Sequence, residues 1–132
     1  MSTERIPTDI YRQCVAISKS YYTMLRRRRE QEEIILHGSA CNDGQPKAQG
    51  TGDPTARKAE RLIAAKERND WKIRAVEQAW SRMEDQTARD FVKYNIFDGL
   101  QMQYIDLPMS IRTMKRTRSQ FIRFVAEELG EV

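Results

Sequence analysis

The spacing of apolar residues in this chain admits helices and excludes sheets. Ile10, Cys14, Ile17, Tyr21 and Met24 recur at alternating four- and three-residue steps, and Ala59, Leu62, Ile73, Val76, Trp80 and Met83 fit the same rhythm. That rhythm draws a stripe along one side of an α-helix. No segment alternates apolar and polar residues as a half-buried strand does, so the chain is expected to be all-α. Neither stripe can be buried by its own helix. The two must face each other in an antiparallel hairpin, or serve a second copy of the chain. Polar residues interrupt both seams: Arg28 and Gln31 in the first, Lys66 and Asn69 in the second. An Asn at a seam position fixes register at some cost in stability.

Turn chemistry divides the stripes into elements. Pro7-Thr8 opens a first helix, with Thr8 or Asp9 as its N-cap, that runs to about Leu36. His37 to Gly52 is rich in Gly, Ser, Asn and Pro and is expected to be a flexible linker. Asp53-Pro54-Thr55 starts a second helix, with Asp as cap and Pro at the first helical position, reaching about Glu84. A third starts at Asp85 or Thr87, turns Ala88, Phe91, Val92 and Ile96 inward, and stops at Asp98-Gly99. A short helix over Leu100–Asp106 and a last one over Ser110–Leu129 complete the set. The expected organisation is a long helical hairpin or coiled coil over residues 1–84, with linker 37–52, serving oligomerisation. Residues 85–132 then form a C-terminal helix-turn-helix.

Composition narrows the function. A chain of 132 residues, 32% of them charged, with a mean hydropathy of −0.75, has a modest core and no room for a large enzyme cleft. Its net charge of +4 and pI near 9.2 favour a polyanionic partner. Cys14 and Cys41 follow no metal or redox spacing and are expected to be reduced thiols of a cytoplasmic protein. The first residues, MSTERIPTDIYRQ, have no apolar signal core, and no apolar run approaches a membrane span. His37, the only histidine, has no evident nucleophile beside it, so no catalytic pair can be named and no cofactor is expected. His37, Cys41 and Asp43 fall short of the four ligands a structural metal site needs. The stretch from Gly44 to Thr51 lacks the Gly-Lys-Ser/Thr ending of a phosphate-binding loop.

The specific chemistry lies in the last helix. Met102, Tyr104 and Ile105 lead into Asp106-Leu107-Pro108-Met109, and Ser110 then caps a helix carrying Arg112, Lys115, Arg116, Arg118 and Arg123 before its first acid, Glu127. At 100° per residue, Ile111, Met114, Phe121, Ile122, Val125 and Leu129 share one arc. Arg112, Arg116, Gln120 and Arg123 share the opposite one, with Thr113 at its edge. Arg118 falls inside the apolar arc and is expected to snorkel. A short helix, a tight turn and a capped basic helix form the layout of a major-groove reader of double-stranded DNA. Arg112, Thr113, Arg116 and Gln120 are the candidates for base edges, since Arg suits guanine and Gln suits adenine. Ser110, Lys115, Ser119 and Arg123 are the candidates for phosphates.

Two other features have plainer readings. Arg26-Arg27-Arg28-Arg29 followed by Glu30, Glu32 and Glu33 suits a solvated helix flank with local Arg–Glu pairs better than a phosphate contact. Trp80 lies on the seam and is expected to pack; Trp71 lies off it and is the better candidate for a second contact.

In Ser110-Ile111-Arg112-Thr113-Met114-Lys115-Arg116 and in Val125-Ala126-Glu127-Glu128-Leu129-Gly130-Glu131, the chain resembles phage late-gene transcription regulators of the RinA/ArpU type. More weakly, Pro54-Thr55 with the Leu62–Met83 helix, and Phe91 to Phe97, look like that family's upstream helices. The resemblance implies a small cytoplasmic DNA-binding regulator of a phage or prophage. Its reader would be similar to the part of a sigma factor that grips the promoter, and RNA polymerase would be a further partner. Leu107-Pro108 in the turn departs from the pattern. Two rivals stand beside this reading: a small terminase-like packaging protein, which would place its reader before its oligomerisation helices, and a coiled-coil adaptor with no DNA role.

Overall fold

The computed structural model describes residues 5–37 and 54–132. These are mostly helical, with no strand among them. The elements are α1 (Thr8–Lys19), α2 (Tyr21–His37), α3 (Pro54–Ser81), α4 (Gln86–Val92), a π-helical turn (Lys93–Phe97), a 3-10 turn (Met102–Tyr104) and α5 (Ile111–Glu128). The linker expected over His37–Gly52 lies outside the described residues apart from His37, which closes α2; the Asp53 cap lies outside them as well.

The first helix is two helices, not one. Ser20 adopts φ −89° and ψ 10°, and its N–H is shared between the carbonyls of Ala16 (3.2 Å) and Ile17 (3.1 Å). Its Oγ donates back to the Ala16 carbonyl at 2.9 Å, a bond that competes with helix continuation. Met24 N–H to Ser20 O at 2.8 Å starts the next helix. The bend lets α1 pack on α5 while α2 packs on α3, two directions that one straight helix cannot serve. The start of α1 also differs from expectation. Pro7 occupies the cap position, with no side-chain cap bond, because the chain is already helical at Thr8.

The two seams face each other within the chain. Cys14, Met24, Ile73, Val76 and Met83 are buried together. Asn69, 5% exposed, donates its Nδ2–H to the Met24 carbonyl at 2.9 Å, which sets the register of α2 against α3. Toward the far end of the pair the seams thin out: Ile35 and Ala59 are exposed, and so are Ile34, Leu36 and Ile63.

One core spans the boundary near residue 84. Phe91, Val92, Ile96, Phe121, Ile122 and Val125 join the α1–α3 residues in a single cluster. Asp85 caps α4, its Oδ1 accepting the Ala88 N–H at 2.9 Å. The π-helical turn, with Asp98 N–H to Lys93 O at 2.8 Å, buries three consecutive residues, Asn95, Ile96 and Phe97. The ring of Phe97 then meets Tyr21 (4.7 Å between centroids), Trp80 (6.3 Å) and Phe121 (6.0 Å), tying α2, α3 and α5 together. Trp80 packs as expected and gives its indole N–H to the Arg89 carbonyl at 2.9 Å. Trp71 is exposed.

The helix expected over Leu100–Asp106 is a single 3-10 turn over Met102–Tyr104. Gly99 at φ +80° turns the chain out of the π segment, and Pro108 disfavours helix at Leu107. The few residues between them cannot repay helix nucleation. The segment is instead anchored by Ile105, 7% exposed and extended.

Candidate nucleic-acid interface

Helix α5 is well delimited. The Ser110 Oγ accepts the Thr113 N–H at 3.1 Å and donates to Thr113 Oγ1 at 3.1 Å, so the start is capped as the sequence predicts. At the other end Gly130, at φ +78°, sends its N–H to Glu127 O (3.0 Å), and Glu131 N–H reaches Ala126 O (2.9 Å). This pair of bonds closes the helix with a Schellman motif.

Burial on α5 begins one turn later than the sequence suggests. Met114, Thr117, Phe121, Ile122, Val125, Ala126 and Leu129 are buried, but Ile111 is 45% exposed. Arg118 does not snorkel to water alone. Its guanidinium donates to Asn95 Oδ1 at 2.7 Å, and Asn95 Nδ2–H in turn donates to the Leu100 carbonyl at 2.9 Å. A polar contact on the apolar arc thus locks α5 to the π-helical turn and to the connector that follows it.

Of the candidate contact residues, Ser110, Arg112, Lys115, Arg116, Ser119 and Gln120 are exposed, and Thr113 is half-buried. Arg123 is half-buried and pairs with Glu127 at 3.8 Å. Glu127 also takes Arg82 at 2.8 Å, so Arg123 belongs to a structural network as well as to the basic arc. Thr113, Arg116 and Gln120 line one side of a groove of about 470 Å³. Its far side holds Glu84, Asp85 and Thr87, with Pro108 and Met109 at one end. The sequence reading missed this acidic wall because Glu84 and Asp85 sit some thirty positions from Arg116 along the chain; only the packing of α4 beside α5 brings them near. Carboxylates there repel phosphate, so the groove is the less favourable side of α5 for a polyanion and the outer edge, where Arg112, Lys115, Arg116 and Ser119 stand, the more favourable one.

The turn ahead of α5 is not that of a compact helix-turn-helix. Helix α5 packs chiefly on α3 and α1, with α4 a lesser partner, and the connector from Asp98 to Ser110 is much longer than the roughly three- or four-residue turn of that motif. Among the described residues, no group of three or more His, Cys, Asp or Glu is placed to hold a metal ion, and no helix is long and apolar enough to cross a membrane.

No protein-family model matches the chain, and neither a curated protein nor a solved structure is detectably similar to it.

Proposed function

We propose that the protein is a sequence-specific DNA-binding transcription regulator of a phage or prophage, acting on late genes, with α5 as its reading helix. The observation that carries this reading is the outer arc of α5. Three cations and two hydrogen-bonding side chains, Arg112, Lys115, Arg116, Ser119 and Gln120, are exposed together on one capped helix that has no acid before Glu127. The opposite arc is buried in the core, so the cationic arc is held at a fixed angle to the rest of the molecule. Arg116 stands centrally and takes a guanine edge; Gln120, one turn on, takes an adenine; Lys115 takes a phosphate. Two copies place two readers on one duplex, and RNA polymerase is the further protein partner of such a regulator.

The test is footprinting on the phage or prophage DNA that encodes the protein, with salt varied. Protection upstream of a late promoter supports the reading, protection at a packaging site favours a terminase-like role, and no protection at low salt removes DNA from the account. On the protected site, Arg116→Ala is expected to cost about 1–3 kcal/mol and relax preference at one base pair. Lys115→Ala is expected to weaken all sequences alike and lower the salt slope by about one.

A further inference from the structure

The four-arginine run and its following acids are left largely unused by the fold. Glu32 reaches Lys66 on α3 at 3.6 Å, and Arg28 is half-buried toward the seam. Arg26, Arg29, Glu30 and Glu33 are exposed and, with Ile34, line a shallow depression along the outer side of α2. Among the described residues, none of these four is in an ion pair within 4.0 Å.

Local electrostatics do not account for the order of these charges. The pairs available within the helix, Arg26 with Glu30 and Arg29 with Glu33, run base before acid, the weaker order for i,i+4 pairs. Arg26 to Glu33 lie between the first and last turns of α2, so the macrodipole does not account for the order either. The same block is self-complementary when a second copy is laid against it head to tail.

We infer that the outer face of α2 is a self-association surface. A second copy packs its own α2 antiparallel to the first, about a two-fold axis passing between Arg29 and Glu30. Arg26 and Glu33 lie about 10 Å apart along the helix, one on each side of that axis. The rotation brings Arg26 of each copy opposite Glu33 of the other, while Arg29 and Glu30 of both copies meet near the axis. The contact is isologous and closes as a dimer. The opposed dipoles of the two helices add to the attraction. Ile34 and Leu36, 53% and 73% exposed, flank the face and supply apolar surface to be covered. A contact one helix wide is small for a stable interface, so the dimer is weak and strongly salt-dependent. This inference rests on the self-association in the preceding reading and is independent of DNA recognition. It also moves that association off the seams, which are filled within the chain from Cys14 to Met24 and from Ile73 to Met83.

The experiment is sedimentation of the full chain at low and high ionic strength, with charge-reversed variants whose helicity is matched by circular dichroism. The parent is expected to self-associate at low salt and to dissociate at high salt. Arg26→Glu/Arg29→Glu has an all-acidic face and Glu30→Arg/Glu33→Arg an all-basic one; each alone should associate at least tenfold more weakly than the parent. Their equimolar mixture should associate again, as a heterodimer. The fourfold exchange Arg26→Glu/Arg29→Glu/Glu30→Arg/Glu33→Arg, which reverses the pattern but keeps it self-complementary, should self-associate yet fail to pair with the parent. A parent that stays monomeric at low salt overturns the inference. So does a doubly substituted variant that associates as the parent does, since another surface, or a segment of the same chain, then covers this face. Loss of DNA binding with the charge pattern of association intact removes the DNA reading and leaves this one standing.

Discussion

Replacing Asn95 tests how α5 is held. Asn95 is 8% exposed; its Oδ1 accepts from Arg118 at 2.7 Å, and its Nδ2–H donates to the Leu100 carbonyl at 2.9 Å. The first bond is charge-assisted, worth about 1.5–3 kcal/mol, and the second is neutral, worth about 1 kcal/mol. Arg118 is half-buried and Leu100 is 42% exposed, so water recovers part of both losses. Asn95→Ala is therefore expected to cost about 2–3 kcal/mol. Arg118→Met leaves Oδ1 buried and unpaired but fills the apolar arc, for a net cost of about 1 kcal/mol. With both changes neither side of the Arg118–Asn95 bond is left unpaired, and the double variant should be more stable than the sum of the single ones predicts by about 1–2 kcal/mol. Urea titration read by tryptophan fluorescence measures this. With a slope of about 1–3 kcal/mol per molar, Asn95→Ala should lower the midpoint by roughly 1 M at unchanged slope. A coupling below about 0.5 kcal/mol, within the range of independent sites, would show that Arg118 merely reaches solvent and that α5 is held by its apolar arc alone.

Three further outcomes follow from the structure. Asn69→Ala removes the bond to the Met24 carbonyl, which retains its own helical partner, so the loss should be only about 1 kcal/mol in the same titration; a cost above about 3 kcal/mol would mean that the bond does more than set register. Burial works against the charged form of the Asp98 carboxylate, but hydrogen bonds from Tyr22 and Lys93 outweigh it and hold its pKa below the usual value. The stability this contributes is present above the unfolded carboxylate pKa, near 4, and lost as pH falls through the folded value; Asp98→Asn should flatten the acid limb of a stability–pH profile. Burial, with Glu131 adding to it, raises the Cys14 thiol above its ordinary pKa. In a Cys41→Ser variant, Cys14 should accordingly react with a thiol reagent at mildly alkaline pH at a rate that tracks unfolding by urea, and rapid labelling of that native variant would contradict the burial of Cys14.

The all-helical class, the stop at Gly99, the Ser110 and Asp85 caps and most of the buried arc of α5 were legible in the residues. Each is local: a cap needs one oxygen within reach of one N–H, a stripe needs only the helical period, and Gly takes a positive φ at no steric cost. The exposed arc of the candidate reader was legible for the same reason, since it is the complement of the buried one. What failed was also instructive. Ser20 looked like one polar residue in a continuous amphipathic helix, and nothing in its neighbourhood announces a bend. The bend arises because α1 and α2 have different partners, α5 and α3, which become neighbours only in the folded chain.

The same limit runs through the rest of the molecule. Arg118 stood out in the sequence as misplaced, but its partner Asn95 lies on another element, and the π-helical turn that presents Asn95 has no local signature. The acidic wall beside Arg116 comes from the packing of α4 against α5. By itself, then, the sequence determined most of the helical segments, several of their ends, and which side of α5 carries cations, because backbone hydrogen bonding and side-chain period act within a few residues. Only the tertiary structure decided that the seams close on each other, that α5 is clamped through Arg118, and that the outer face of α2 is left uncovered by the other described residues. Those outcomes depend on long-range packing in one shared core, where each helix settles against whichever apolar surface the others leave it.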